Sequence, residues 1–184
     1  KDNTVCRWIF DKNKILQYKD AGIISDLISK TGQSIEALMS IGAKVNKNLR
    51  DLGNQNGWKI MSCNFSIVNI AEKELFKTLN QQFPNYTILH KVRVLKNNEK
   101  FEADFIVFNN EETLWFEITS VSNTSSFNGN LDMRVLRIKE LLKPTKVIMI
   151  RKIHKSNSTL IRYSKLMRLG IFTCSIDEIV DIRK

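Results

Sequence analysis

Two neighbouring segments put carboxylates inside apolar runs. The first is Phe101-Glu102-Ala103-Asp104-Phe105-Ile106-Val107-Phe108; after a polar turn comes Leu114-Trp115-Phe116-Glu117-Ile118-Thr119. Strand side chains alternate between faces, so Glu102 and Asp104 are expected to share one face of the first strand and Glu117 and Thr119 one face of the second. A carboxylate set among Phe105, Val107, Phe116 and Ile118 is costly to ionise without compensation. One compensation is a divalent cation. Mg²⁺ or Mn²⁺ takes oxygen ligands, a few carboxylates with waters and substrate phosphate, and the Ile118 carbonyl between Glu117 and Thr119 is a further donor. The other is ion pairing on a solvated strand face, with lysines such as Lys91 and Lys100 as partners.

Order and spacing of these acids resemble the PD-(D/E)XK nuclease superfamily, which includes the restriction endonuclease-like enzymes. That family builds its site from an acid on a first helix, an Asp early in one strand and an E-x-K tripeptide on the next. The matching residues are Glu72, ahead of Leu75 and Leu79 on its helix, then Asp104, then Glu117-Ile118-Thr119. The resemblance runs from about Asn64 to Arg183. It implies a metal-dependent endonuclease that hydrolyses phosphodiester bonds of DNA, with Mg²⁺ or Mn²⁺ held by Asp104, Glu117 and the Ile118 carbonyl, and Glu72 completing the site through water.

Two positions depart from the family pattern. Ala103 stands where proline is usual, a residue without a chemical role. Thr119 stands where the family lysine orients or activates water. Some branches, among them the cap-snatching endonucleases of segmented viruses, carry Thr there and seat a lysine on the following helix, where this chain has Arg134, Arg137 and Lys139. Lys139 is the expected substitute, with Lys91 and Lys100 on nearby strands the other basic candidates, and Arg134 and Arg137 are expected to hold nucleic acid. A catalytically inactive binding module on the same scaffold, or an RNA endonuclease, are the alternative readings.

Charge points the same way. Lysine and arginine number 29 against 19 acids, a formal charge of +10, and cations set near phosphates release condensed counterions on binding. DNA is the favoured partner, with a homodimer expected if both strands are cut. The other reactive residues offer less. His90 and His154 have no second ligand at useful spacing and read as surface or internally satisfied histidines. Cys174 reads as a small core residue, Ser120–Ser126 as a loop entering the next helix without a phosphate-cradling glycine pattern, and Trp8, Trp58 and Trp115 as packing.

The elements that must position these residues follow from periodicity. In 184 residues with 42% hydrophobic and 26% charged side chains, neither disorder nor a membrane bundle is expected. No apolar run approaches the roughly 20 residues of a membrane span. Three scattered cysteines, Cys6, Cys63 and Cys174, form neither a disulfide framework nor a zinc cluster, so a reducing, cytoplasmic location is expected. The chain opens on Lys1, as expected of a piece of a longer protein.

Periodicity changes near Asn64, dividing the chain into a helical N-terminal region, 1–63, and an α/β core, 64–184. In the first, Ile23, Ile24, Leu27 and Ile28 mark one helix and Ile35, Leu38, Met39, Ile41, Val45 and Leu49 a second, ended by Gly53. Gly32 with positive φ and Ser34 as N-cap would join them. The pair is similar to a helix-turn-helix, in which Lys44, Lys47 and Arg50 would meet DNA; a helical support layer is the other reading. In the core, Ile67 to Leu79 is expected to be helical until Pro84. Strands are expected at Tyr86 to Leu95, Phe101 to Phe108, Leu114 to Thr119, Lys146 to Ile150 and Ile171 to Cys174. Helices around Leu131 to Leu142 and Ser158 to Arg168 separate the later ones, and Ser175 with Glu178 forms a capping box. The predicted class is α/β: a central mixed sheet flanked by helices, restriction endonuclease-like.

Overall fold

The computed structural model describes residues 32, 34–64, 67, 69–119, 129–151 and 157–179. The expected helix at Ile23–Ile28, Cys6, Trp8, Ser120–Ser126 and His154 lie outside the described residues.

Helix α1, Ile35–Asn56, starts where Ser34 accepts a hydrogen bond from the Ala37 amide at 3.1 Å, and Gly32 before it has φ 65°. It runs through Gly53 and stops at Gly57, φ 63°. The expected stop at Gly53 is thereby corrected: an interior glycine costs only about 1 kcal/mol against alanine, too little to end a helix whose apolar stripe, Val45, Leu49 and Leu52, continues past it. Gly53 serves a close approach instead, since a Cβ there would stand 2.9 Å from the Trp58 carbonyl oxygen.

Strand β1, Lys59–Asn64, corrects the expectation of purely helical structure before Asn64. It pairs antiparallel with β2, Thr87–Lys96. Between them lies α2, Ile70–Gln82, which begins later than Ile67 because Asn69 caps it through the Ala71 amide at 2.9 Å. Then follow β3, Glu99–Phe108; β4, Thr113–Ile118; α3, Gly129–Leu141; β5, Lys146–Ile150; α4, Asn157–Arg168; and β6, Phe172–Cys174. Asn97 and Asn98, φ 49° and 62°, form the two-residue turn of the β2–β3 hairpin. Asparagine tolerates the left-handed region that such turns require.

The result is an α/β fold with six strands in chain order, β1 to β4 antiparallel and β4 to β6 parallel. One face packs Leu52 of α1, Val135 and Ile138 of α3 and Leu166 of α4 against Trp115, Val147 and Met149. The other packs Leu75 and Leu79 of α2 against Phe105, Phe116, Ile148 and Ile150. Each such fully buried side chain contributes roughly 1.5–3 kcal/mol. Trp58 ties α1 and β1 into the first cluster, its indole donating to the Leu142 carbonyl at 2.9 Å and its ring meeting Trp115 edge-on at 5.9 Å.

Strict alternation holds in β4 and β5 but fails in the hairpin. On β3, Phe101 and Ala103 belong to the same apolar cluster as Ile106 and Phe108, whereas Phe105 and Val107 belong to the opposite one. On β2, Leu89 shares a cluster with Val92 and Val94. Both strands therefore change parity between these residues, at Asp104 and at Lys91, which is the one residue of β2 with positive φ, 48°. The register on either side is preserved, from Lys96↔Glu99 to Thr87↔Phe108, so Lys91 falls opposite Asp104. The expectation that Glu102 and Asp104 share a face by simple alternation does not survive this distortion.

Candidate active site

The distortion gathers four charged side chains. Asp104 leads from β3: one carboxylate oxygen contacts the Lys91 ammonium, and the other accepts the Ile118 amide at 2.7 Å. Lys91 also reaches Glu72 Oε1 at 3.0 Å. Glu72 comes from the first turn of α2, and its other oxygen lies 2.9 Å from His90 Nε2. Glu117 on β4 is the fourth: extending the pairing Phe105↔Phe116 by one residue sets it opposite Asp104. Its Oε1 accepts from the Trp115 indole at 2.9 Å and from Arg134 of α3 at 3.2 Å.

Burial decides the electrostatics. Glu117 is 3% exposed, and burial pushes its carboxyl up to about 7; Arg134 opposes the rise and the Asp104 charge adds to it. Burial would also raise Glu72, but hydrogen bonds from Lys91 and His90 outweigh it and hold that carboxyl below the usual range. Burial would lower the Lys91 ammonium, yet Asp104 and Glu72 hold it above its ordinary value. Glu72, Lys91 and Asp104 thus satisfy one another, whereas Glu117 is the acid with an unmet need for positive charge.

Two solved structures resemble the chain distantly. One is Can2 from Sulfobacillus thermosulfidooxidans in complex with cyclic tetra-adenylate, with TM-score 0.43 and 10% identity over 60% of this chain and 34% of that one. The other is protein VC1899 from Vibrio cholerae, with TM-score 0.44 and 13% identity over 98% of this chain and 53% of that one. The chain spans about a third and about half of their lengths. No protein-family model and no curated protein matches it.

The remaining expected site residues lie apart. Thr119 is 2% exposed, and its hydroxyl donates to the Ile150 carbonyl at 3.2 Å beside its own amide at 2.9 Å, so it extends the β4–β5 ladder. Lys139 donates to the Leu169 carbonyl at 2.6 Å and rests against Gly170, where a Cβ would collide with its ammonium. The C-terminal turn of α4 holds it, away from the acids; this corrects the expected lysine substitute. Arg137 pairs with Glu99 at 2.6 Å. Arg134 is the helix cation that reaches the site. Lys44, Lys47 and Arg50 are exposed on α1, with Lys47 paired to Asp51 at 2.6 Å.

Lys91 pairs with Asp104, as the ion-pairing alternative had it, and His90 is buried against Glu72, a hydrogen-bonded histidine whose partner the sequence did not name. Counting outward from the Asn97-Asn98 turn sets Lys91 against Asp104, and that count is the signal that could have found it. Cys174 is buried, its thiol pushed up by burial to about 12, and is inert as expected.

The donor set suits a hard cation. Among the described residues no three His, Cys, Asp or Glu side chains converge to hold a metal ion. Mg²⁺ and Mn²⁺ are commonly held by one or two carboxylates with waters, and Asp104 and Glu117 on adjacent strands are the residues that would hold one. Beside Ile118 opens a groove of about 560 Å³, between α2 and the C-terminal ends of β4, β5 and β6, with Lys77 and Arg151 in its wall. Ligands of parallel sheets commonly lie outside these strand ends. Among the described residues no helix is long and apolar enough to cross a membrane.

Proposed function

We propose that the protein is a divalent-metal-dependent endonuclease of restriction endonuclease-like type, hydrolysing phosphodiester bonds of DNA. The observation that carries the reading is the nearness of Asp104 to Glu117, whose carboxyl the Asp104 charge pushes up, with Glu72 of α2 joined to Asp104 through Lys91. Helix acid, strand acid and second strand acid follow one another along the chain in the order the motif resemblance requires. Asp104 and Glu117 would hold Mg²⁺ or Mn²⁺, which would lower the pKa of a bound water and offset charge on the scissile phosphate. Glu72, kept ionised by His90 and Lys91, would complete the metal's shell through water. Arg134, against Glu117, and Lys77 and Arg151 in the groove hold the phosphate backbone; duplex cleavage calls for a second copy of the chain.

Two observations favour a second reading, a binding module without catalysis. The Lys91 ammonium is ion-paired to both Glu72 and Asp104, and the Thr119 hydroxyl is committed to β5. Incubation of labelled duplex DNA, single-stranded DNA and RNA with the protein, in Mn²⁺, in Mg²⁺ and in chelator, separates the two. Metal-dependent cleavage of DNA, abolished by Asp104→Asn, is the expected result. Binding with no cleavage of any substrate gives the second reading, and cleavage confined to RNA replaces the DNA assignment.

A further inference from the structure

We infer that Lys91 is a resident cation, which holds Glu72 and Asp104 together and opposes the binding of a divalent ion at Asp104. The inference rests on the metal-dependent reading above. Three observations carry it. Both oxygens of Asp104 already have donors, the Lys91 ammonium on one and the Ile118 amide on the other at 2.7 Å. Each oxygen keeps a further lone pair for a metal, so a divalent ion at Asp104 would meet the ammonium as a neighbouring cation; of the two donors the amide is fixed in a strand while the ammonium rides on a flexible four-carbon stem.

The backbone gives the second observation. Lys91 has φ 48° within a strand whose register is regular on both sides. Such a conformation is costly for a residue with a Cβ and persists where the surroundings over-determine it. The parity change of β2 and β3 falls at this residue and its partner. The sheet is thus distorted where it delivers the ammonium to the acids.

Third, Glu72 has an independent partner in His90 at 2.9 Å. Departure of the ammonium would leave Glu72 hydrogen-bonded, and Asp104 would be the group released. An ammonium and a divalent ion beside one carboxylate repel, so each weakens the hold of Asp104 on the other.

The test is calorimetric titration of Mn²⁺ into the parent chain and into Lys91→Gly, Lys91→Gln and Lys91→Arg. Glycine adopts φ 48° without strain and removes the side chain; glutamine removes the charge but keeps a donor for the two acids; arginine keeps the charge. Lys91→Gly and Lys91→Gln are expected to bind Mn²⁺ at least tenfold more tightly than the parent, a difference of about 1.4 kcal/mol, and Lys91→Arg no more tightly. Equal or weaker binding by both neutral variants, with parent binding intact, overturns the resident cation and leaves the metal site standing. Absence of Mn²⁺ binding by all four chains overturns the metal-dependent reading, and this inference with it.

Discussion

Glu117 carries a heavy electrostatic burden. A carboxyl with a usual value of 4.5 sits at about 7 here because burial disfavours its charged form. Below about pH 4.5 it is protonated in both folded and unfolded chains and costs nothing. Between 4.5 and 7 the native state holds a proton that the unfolded state has lost, so stability falls as pH rises across that window, by about 3 kcal/mol in all. Replacing Glu117 with Gln keeps the shape and abolishes the titration. In metal-free urea denaturation at pH 5 and pH 8, the parent is therefore expected to lose about 3 kcal/mol more than Glu117→Gln between the two conditions. Equal losses would mean that Glu117 is ionised at little cost and has no need of a cation. Lys91 belongs to the same scale. A strand read as strictly alternating hides a residue with positive φ, so its type and its position opposite Asp104 were legible while its direction was not.

Among the elements, the later ones were the most legible. The helix stops at Pro84 and Gly170, the Asn97-Asn98 turn and the apolar strands β3, β4 and β5 rest on strong local signals, and the observed elements follow them. β1 did not announce itself: Lys59–Asn64 is short, its only buried residue is Cys63, and its pairing with β2 is irregular, so the sheet recruits it through tertiary contact. Lys139 was misjudged through helix phase. On α3 the buried Val135 and Ile138 fix the rotation, which sends Arg134 toward Glu117 and Lys139 toward Leu169. Helix α1 carries a prediction of its own. Val45 and Leu49 pack against the core, so Lys44, Lys47 and Arg50 project to solvent without a structural duty beyond the Lys47–Asp51 pair. Exposed pairs of that kind contribute only about 0.2–1 kcal/mol. Alanine at all three is expected to weaken duplex binding by about tenfold or more with little change in melting temperature, read by fluorescence anisotropy at fixed salt. Unchanged affinity would assign α1 to support of the sheet alone.

For the whole molecule, a charge of +10 is the basis for proposing a polyanionic partner. Affinity for duplex DNA should fall linearly with the logarithm of salt concentration, with a slope near −0.9 for each phosphate neutralised, and should persist in chelator. A flat salt response would remove nucleic acid as partner. Neither result bears on catalysis, because binding needs the charge and cleavage needs the acids. The claim that Asp104 and Glu117 share one divalent ion is tested most directly by the Mn²⁺-dependent shift in melting temperature of the parent and of Glu117→Gln. A ligand that binds only the folded state stabilises by about 2.7 kcal/mol at one hundred times its dissociation constant, roughly 5–10 °C for a chain of this size. The parent is expected to gain a shift of that order and Glu117→Gln none, while without metal the variant melts above the parent at pH 8. Identical shifts in the two chains, or no shift in either, would contradict a shared metal site at these acids.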